Sequence, residues 1–315
     1  MANFEDLSQE ANRRIQLLEF GDKPWIRIGS AVCGEAAGAS QVIETLRGEL
    51  SKRGIDANVS VVGCLGMCYA EPLLDILKPG KPRVFYKNVT SGMVVDLVES
   101  YIIGDDPRPD MALAYSGDGT IENIPSLDDL PMWSNQVRIA LRNCGHIDPM
   151  DIYQYIARGG YAALDRAVNS MQPEDVIKEV QDSGLRGRGG AAFPTGTKWN
   201  FLARSPGPIK YILCNAEEGD PGAYNDKGIL ESDPHSLIEG TILAGYATGA
   251  TNGIVFIRHG HEGPIHRTQR AIDQAYELGL LGNNILDSSF SFHIEVSLTG
   301  ESYVSGEETA LMESV

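Results

Sequence analysis

Between Lys210 and Val296 the chain alternates short β-branched runs with amphipathic helical stretches, and this alternation restricts the fold more than any other feature. The runs Lys210 to Cys214, Gly253 to Arg258 and Phe290 to Val296 read as strands. Pro234 to Thr248 and Pro264 to Leu278 between them read as helices. Strand and helix in this order predict an α/β sandwich with a substantially parallel sheet and a ligand at the strands' carboxyl ends. Helical segments come first: Asp148-Pro149 opens one, and Pro173 to Val180 follows with acidic residues in its first turn, where they complement the helix dipole.

A length of 315 residues accommodates a second domain, and the first hundred or so residues are patterned differently. Leu7, Ala11, Ile15 and Leu18 recur at a helical interval, and Trp25 to Gly29 is strand-like. Ser40 to Arg53 carries an apolar face of Val42, Ile43, Leu46 and Leu50, and Asn58 to Val62 alternates like a strand. Pro72 to Leu77 and Arg83 to Tyr86 flank a Pro- and Gly-rich turn and read as a hairpin, with a last helix from Ser91 to Tyr101. This β-α-β-β-β-α order suits a thioredoxin-like layer of sheet against helices, spanning residues 1–104. From Gly104 to Trp133 the Asp, Pro and Gly content, without a long periodic run, predicts an exposed linker; it is bounded at 105–142. The α/β domain then occupies 143–315.

Lys plus Arg number 26 against 43 Asp plus Glu, a formal charge of −17. That balance repels nucleic acid and anionic membrane, so neither is an expected partner. No run of 18 apolar residues occurs, and Met1 to Asp6 lacks the basic-then-apolar layout of a signal peptide, which predicts a soluble, cytoplasmic protein without direct membrane insertion. Five unevenly spaced cysteines argue against a disulfide framework.

Three segments carry chemistry. Gly184 to Trp199 (GLRGRGGAAFPTGTKW) packs two Arg and a Lys among glycines, a composition suited to holding a phosphate. Its Gly187-x-Gly189-x-x-Ala192 fits the dinucleotide fingerprint by pattern, but a helix and not a strand precedes it, so the βα turn that gives the fingerprint meaning is missing. Cys214 to Tyr224 (CNAEEGDPGAY) follows a strand directly, where polar side chains can meet a ligand, although an acidic turn alone is commonly solvated surface. Gly300 to Met312 again follows a strand and puts Glu307 and Glu308 where a helix begins, a placement that the helix dipole partly explains.

Together, GRGGAAFPTGTKW, CNAEEGDPGAY and SYVSGEETALM resemble the FMN- and NADH-binding stretches of the complex I flavoprotein subunit and its hydrogenase and formate dehydrogenase diaphorase relatives. The similarity runs from about Asn143 to the last residue. It implies a Rossmann-like α/β FMN-binding domain and an FMN-dependent NADH dehydrogenase that takes hydride from NADH and passes electrons to iron–sulfur centres of a larger complex. Carried over by motif, Gly187, Gly189 and Lys198 approach the FMN phosphate and ribityl chain, and Asn215, Glu217, Gly306 and Glu307 line the isoalloxazine. Phe193 and Phe201 sandwich the adenine of NADH. Glu218 and Glu308 lie near the nicotinamide and its ribose, with Asp220 and Tyr303 close by. Hydride transfer needs no protein acid or base, so none is assigned.

This chain departs from the family pattern in two places: Glu217 replaces the usual Asp, and Ser305 replaces a usual Cys. Cys64-x₃-Cys68 with Cys33 resembles the ligand set of a thioredoxin-like [2Fe–2S] domain, but Gly38 stands where that family has its fourth cysteine. A [2Fe–2S] cluster normally takes four cysteine thiolates. Either the cluster is lost and the fold persists as a docking module, or another ligand substitutes. Cys144 and Cys214 read as core packing. Longer family members continue into a segment whose cysteines hold a [4Fe–4S] cluster; this chain stops at Val315, inside a helix beginning near Glu307, and so reads as a fragment. The resemblance also implies partner subunits carrying iron–sulfur clusters and a place peripheral to a membrane complex. The alternatives are a diaphorase subunit of a soluble hydrogenase or formate dehydrogenase, or a non-catalytic scaffold.

Overall fold

The computed structural model describes residues 3–300 and 302–314; Met1, Ala2, Val315 and Glu301 of the third motif lie outside the described residues. The chain forms two compact units. One comprises Ala11–Gln154 with Glu231–Asp233, and the other comprises Met1–Glu10, Tyr155–Leu230 and Pro234–Val315.

The first unit is built on β1 (Trp25–Gly29), β2 (Asn58–Val62), β3 (Leu74–Leu77), β4 (Arg83–Tyr86) and β5 (Ala112–Ser116), in the order β2-β1-β3-β4-β5. Only β1 and β2 run parallel, and the crossover between them carries α2 (Val32–Ala36) and α3 (Ala39–Arg53); α1 (Phe4–Phe20) precedes β1. β3 and β4 each join antiparallel, and α4 (Ser91–Leu97), capped by the Thr90 hydroxyl, runs into a π-helical turn over Val98–Gly104. Strands 1 to 4 thus have the thioredoxin-like order that the sequence predicts. Ile26, Ile28, Val42, Leu46, Ile76, Val84, Val94 and Leu97 fill the core between the sheet and α3 and α4.

The opposite face of β1 is buried as well, although it carries charge. Arg27 Nε lies 3.0 Å from Asp75 Oδ1, Arg83 pairs with the same carboxylate, and both guanidiniums lie over the Trp25 ring. Burial pushes Arg83 down to about 10, so this pair of cations depends on the single Asp75 carboxylate beside it.

The stretch read as linker departs from expectation. Ala112–Ser116 adds β5 antiparallel to β4, and Leu113 and Leu127 are buried against Phe85. Small residues at 112 and 114 weaken the apolar alternation, and the surrounding Pro, Gly and Asp mask it. The same unit includes a short α5 (Pro131–Ser134) and reaches residue 154, well past the expected boundary at 104.

The second unit opens with α6 (Ile152–Ala157), α7 (Ala162–Ser170), α8 (Pro173–Asp182) and α9 (Thr195–Arg204). A reciprocal capping box between Gln172 and Asp175 starts α8, which accounts for the acidic first turn. Then β6 (Tyr211–Ala216), β7 (Asn252–Arg258) and β8 (His293–Thr299) form an all-parallel sheet in the order β6-β7-β8. Helices α10 (Asp226–Ser232) and α11 (Pro234–Thr248) connect β6 to β7, α12 (Glu262–Glu277) connects β7 to β8, and α13 (Glu308–Glu313) follows.

Helix α11 is buried along most of its length, because the sheet and α7, α8, α9 and α12 all pack on it. Close packing under it requires glycine: a Cβ at Gly245 would lie 2.3 Å from the fully buried Phe292 ring. Its one buried carboxylate, Glu239, accepts hydrogen bonds from Tyr155 Oη at 2.6 Å, Tyr161 N at 2.8 Å and Leu164 N at 3.3 Å. His235, one turn earlier, shares hydrogen bonds with Tyr161 Oη at 2.9 Å and Gln274 Oε1 at 3.2 Å.

Candidate functional site

Four segments of the second unit supply the site. The glycine-rich segment leaves α8 through Gly184, whose φ of +69° ends the helix in the left-handed region. It folds back as a small hairpin: Gly187 N donates to Phe193 O at 2.8 Å, Thr195 N donates to Leu185 O at 2.9 Å, and Arg186 Nη1 donates to Ala192 O at 3.0 Å. At its tip Gly190 adopts φ +105°, and a Cβ on Gly189 or Gly190 would touch nothing, so the backbone there is open to an approaching group. Helix α8 precedes the loop, as expected, and no βα turn is formed. Gly196 has a different reason to be glycine: its Cβ would lie 2.5 Å from Gln181 Cγ, so it lets α9 pack onto α8.

Lys198, in the first turn of α9, extends an exposed ammonium to Glu308 Oε1 at 2.7 Å. Phe193 and Phe201 are 45% and 59% exposed, with ring centroids 6.3 Å apart and planes tilted by 51°. Two stacking gaps of ordinary carbon contact need about 7 Å between parallel rings, so a flat base between them would require these rings both to spread and to rotate through most of that tilt.

The strand β6 delivers Asn215 at its carboxyl end. Asn215 Nδ2 donates to Gly306 O at 2.7 Å, and Asn215 Oδ1 accepts from Glu217 N at 3.2 Å. This amide ties the second motif to the third. Gly306 is close-packed here, since a Cβ on it would lie 3.2 Å from Glu217 Oε2. The Glu217 carboxylate accepts from Gly219 N at 3.0 Å and pairs with Arg258 Nη1 at 3.1 Å. The extra methylene of Glu217 relative to Asp is therefore accommodated by an inward-turned, buried side chain. Ser305 is buried where the family has Cys, with Oγ 3.5 Å from Gly300 O.

Glu218 and Glu307 are both engaged with backbone. The Glu218 carboxylate is buried and accepts from the backbone N–H groups of Asn225, Asp226 and Lys227, at the start of α10. Glu307 accepts from Thr309 N at 3.0 Å and Ala310 N at 3.1 Å, which caps α13 and holds its carboxyl below the usual range. Glu308, Tyr303 and Asp220 are exposed. The structure therefore brings Asn215, Glu217 and Gly306 into one bonded cluster, and Lys198 to Glu308, while Glu218 turns inward.

Three residues of this region were not singled out from sequence. Arg258 ends β7 and neutralises Glu217. Burial, with the charges of Glu218 and Glu217, pushes the Asp226 carboxyl up to about 6. His261 follows β7 with a buried, unpartnered Nδ1, and burial beside Lys227 and Arg258 lowers its pKa. The carboxyl end of β7 was the signal available, because ligands of open α/β sheets gather at strand ends.

The chemistry of this donor set fits FMN: cationic Arg186, Arg188 and Lys198 around an open glycine backbone suit a phosphate, and the polar cluster at the end of β6 suits a heteroaromatic ring. A four-thiolate [2Fe–2S] cluster does not fit the cysteines of the first unit. Cys33 lies on α2, Cys64 follows β2 and Cys68 opens a 3₁₀ turn. Gly38, at the fourth position, instead adopts a left-handed φ of +105° ahead of α3, and among the described residues no three His, Cys, Asp or Glu side chains are placed to hold a metal ion. Cys144 is buried, and burial pushes the Cys214 thiol up to about 12, consistent with core packing.

Residues 180–315 match the Nuo51 FMN-binding domain family. The NADP-reducing hydrogenase subunit HndC of Solidesulfovibrio fructosivorans is 50% identical over 180 residues, 57% of this chain and 36% of that protein. An NADH-quinone oxidoreductase subunit of Aquifex aeolicus is 48% identical over 164 residues, 52% of this chain and 38% of that protein. A crystal structure of an NAD⁺-reducing [NiFe]-hydrogenase in the H₂-reduced state aligns with 99% of this chain and 51% of its own at 22% identity, with a TM-score of 0.44. The matched region spans little more than a third of these curated relatives, 36% and 38%. This chain is thus similar to NADH-quinone oxidoreductase subunits F and to a hydrogenase subunit over part of its length, and its residues 180–315 match the Nuo51 FMN-binding domain.

Proposed function

We propose that the chain is the FMN-binding part of an NADH dehydrogenase (diaphorase) module, oxidising NADH and passing electrons to iron–sulfur partners in a larger oxidoreductase. The observation that carries this reading is the Asn215–Gly306–Glu217 cluster, which joins two of the three motifs at the carboxyl end of a parallel sheet. FMN, when bound, supplies a two-electron hydride acceptor that can release electrons singly. The protein's part is binding and orientation. Lys198, with Gly187 and Gly189, holds the phosphate. Asn215, Glu217, Gly306 and Glu307 form a wall already fixed by its own hydrogen bonds, so little order is lost on docking a ring. Phe193 and Phe201 take the adenine, and Glu308, Tyr303 and Asp220 face the ribose and nicotinamide. Glu218 acts from behind, by fixing the 219–225 loop through α10.

The names of the relatives, one a hydrogenase subunit and one a quinone oxidoreductase subunit, support a multi-subunit setting without choosing between hydrogenase- and quinone-linked partners. A cytoplasmic place peripheral to a membrane complex belongs to the same proposal. Among the described residues no helix is long and apolar enough to cross a membrane. The test is the visible spectrum of anaerobically purified protein, supplemented with FMN, before and after NADH. Bands near ~450 nm that bleach with NADH support hydride transfer to a bound flavin. A spectrum in which added FMN stays unbound refutes the reading for this chain and favours a scaffold.

A further inference from the structure

The carboxyl ends of β6 and β7 meet in an ion pair that the flavin reading leaves without a task. The two strands run in parallel register, Asn215 opposite Phe256 and Ala216 opposite Ile257, so the residues that follow β6 come against Arg258 at the end of β7. Arg258 Nη1 is 3.1 Å from Glu217 Oε1, and the carboxylate is the more buried partner, with 3% of its side chain exposed against 23% for the guanidinium. The backbone is shaped around this pair. A Cβ at Gly219 would lie 2.8 Å from Arg258 Nη1 and 3.0 and 3.1 Å from the two Glu217 oxygens, so the pair occupies the space that a side chain there would need. Gly219 N donates to Glu217 Oε2 at 3.0 Å, and Gly306, whose carbonyl accepts from Asn215 Nδ2 at 2.7 Å, packs on the same oxygen. The neighbouring Glu218 charge is directed elsewhere, to three backbone N–H groups and to Lys227 Nζ at 3.9 Å.

We propose that Arg258 is a positioning residue of the flavin site: through Glu217 it holds the Gly219 turn and Gly306 in place, and it cancels a carboxylate charge that would otherwise oppose hydride transfer to the ring. This inference rests on the reading that the Asn215–Glu217–Gly306 wall faces FMN. A hydride is a proton with two electrons, so its arrival adds one negative charge beside that wall, matched by the positive charge left on the nicotinamide that it departs from. A carboxylate with its counter-cation at 3.1 Å presents little net charge. The same carboxylate alone, in a poorly solvated setting, opposes the added charge, and the guanidinium alone favours it. The two single substitutions therefore act in opposite directions, which a pair with a purely structural role would not produce.

The test measures the midpoint potential of FMN bound to the full chain by anaerobic titration against a redox dye, with binding checked by flavin fluorescence and folding by thermal melting. Arg258→Met should shift the balance about tenfold towards oxidised flavin, about 30 mV downward for a two-electron couple, and Glu217→Gln should shift it upward. The double variant, which lacks both charges, and Arg258→Lys, which keeps the cation, should each lie within about threefold of the wild type. Because the double variant strands no charge, it decides the matter together with Glu217→Gln even if Arg258→Met folds poorly. Single substitutions that move the potential in the same direction, or by less than about threefold, overturn the proposal. FMN that stays unbound by the wild-type chain overturns the functional reading and this proposal with it, whereas bound FMN with unshifted potentials overturns this proposal alone.

Discussion

Replacing Arg258 with methionine removes the guanidinium 3.1 Å from Glu217 and strands a carboxylate whose side chain is only 3% exposed, beside Glu218 and Asp226. At an effective dielectric near 20, opposite unit charges about 4 Å apart attract by about 4 kcal/mol. Arg258 is itself 23% exposed, so its own desolvation and solvent screening offset part of this. Breaking such a pair from one side should then cost about 2–3 kcal/mol at pH 7. Methionine keeps most of the aliphatic packing, so the loss is mainly electrostatic. Urea denaturation at pH 7, followed by circular dichroism, measures this. Adding Glu217→Gln to Arg258→Met should recover most of the loss, because the stranded carboxylate is removed with its partner. A single variant within ~0.5 kcal/mol of wild type, or a double variant no better than the single, would refute the argument.

Lys198→Met should weaken FMN binding by about tenfold or more, as loss of a charged phosphate contact does, while leaving stability unchanged, because the Lys198–Glu308 pair is exposed on both sides; flavin fluorescence titration and thermal melting separate the two effects. Burial pushes His235 down to about 4, so it contributes stability that is present above the unfolded value near ~6.5 and lost as pH falls towards 4, by up to about 3 kcal/mol. His235→Gln should flatten that limb of the stability profile, and an unchanged slope would contradict it. Gly245→Ala forces a methyl within 2.3 Å of the Phe292 ring and should destabilise the sheet–α11 packing by about 1–3 kcal/mol, read as a lower melting temperature.

The sequence was most legible where burial and periodicity agree. Strand β7 (NGIVFIR) is a compact apolar run between turn signals, and α12 has a clear amphipathic stripe, so strand and helix were identified there almost to the residue. The start of β8 was misread by three residues, because Phe290 and Phe292 look like strand while Phe292 actually plugs the space beneath α11. The site divides similarly. Asn215, Glu217 and Gly306 are adjacent to recognisable glycine-rich motifs. Arg258 lies 41 residues from Glu217, and only the parallel pairing of β6 with β7 brings them together. Glu218 shows the opposite failure: in sequence it is another ligand-facing acid of a motif, yet the free N–H groups at the start of α10 take its charge inward.

The parallel sheet has a bearing on how this chain behaves at high concentration. Among the described residues β6 and β8 each pair with a strand on one side only, so each has an edge open to strand pairing, although on β8 the Ile294 N–H already donates to Tyr276 Oη at 3.3 Å. Along β8, His293 and Glu295 are exposed while Ile294 between them is buried, which keeps a charged or polar group at alternate positions of that rim. A net charge of −17 repels like chains and so helps to guard this rim. Salt shortens the reach of that repulsion to about 8 Å at physiological ionic strength. Purification at low ionic strength should therefore keep the chain monodisperse, and high salt should be the condition that first brings edge-to-edge association.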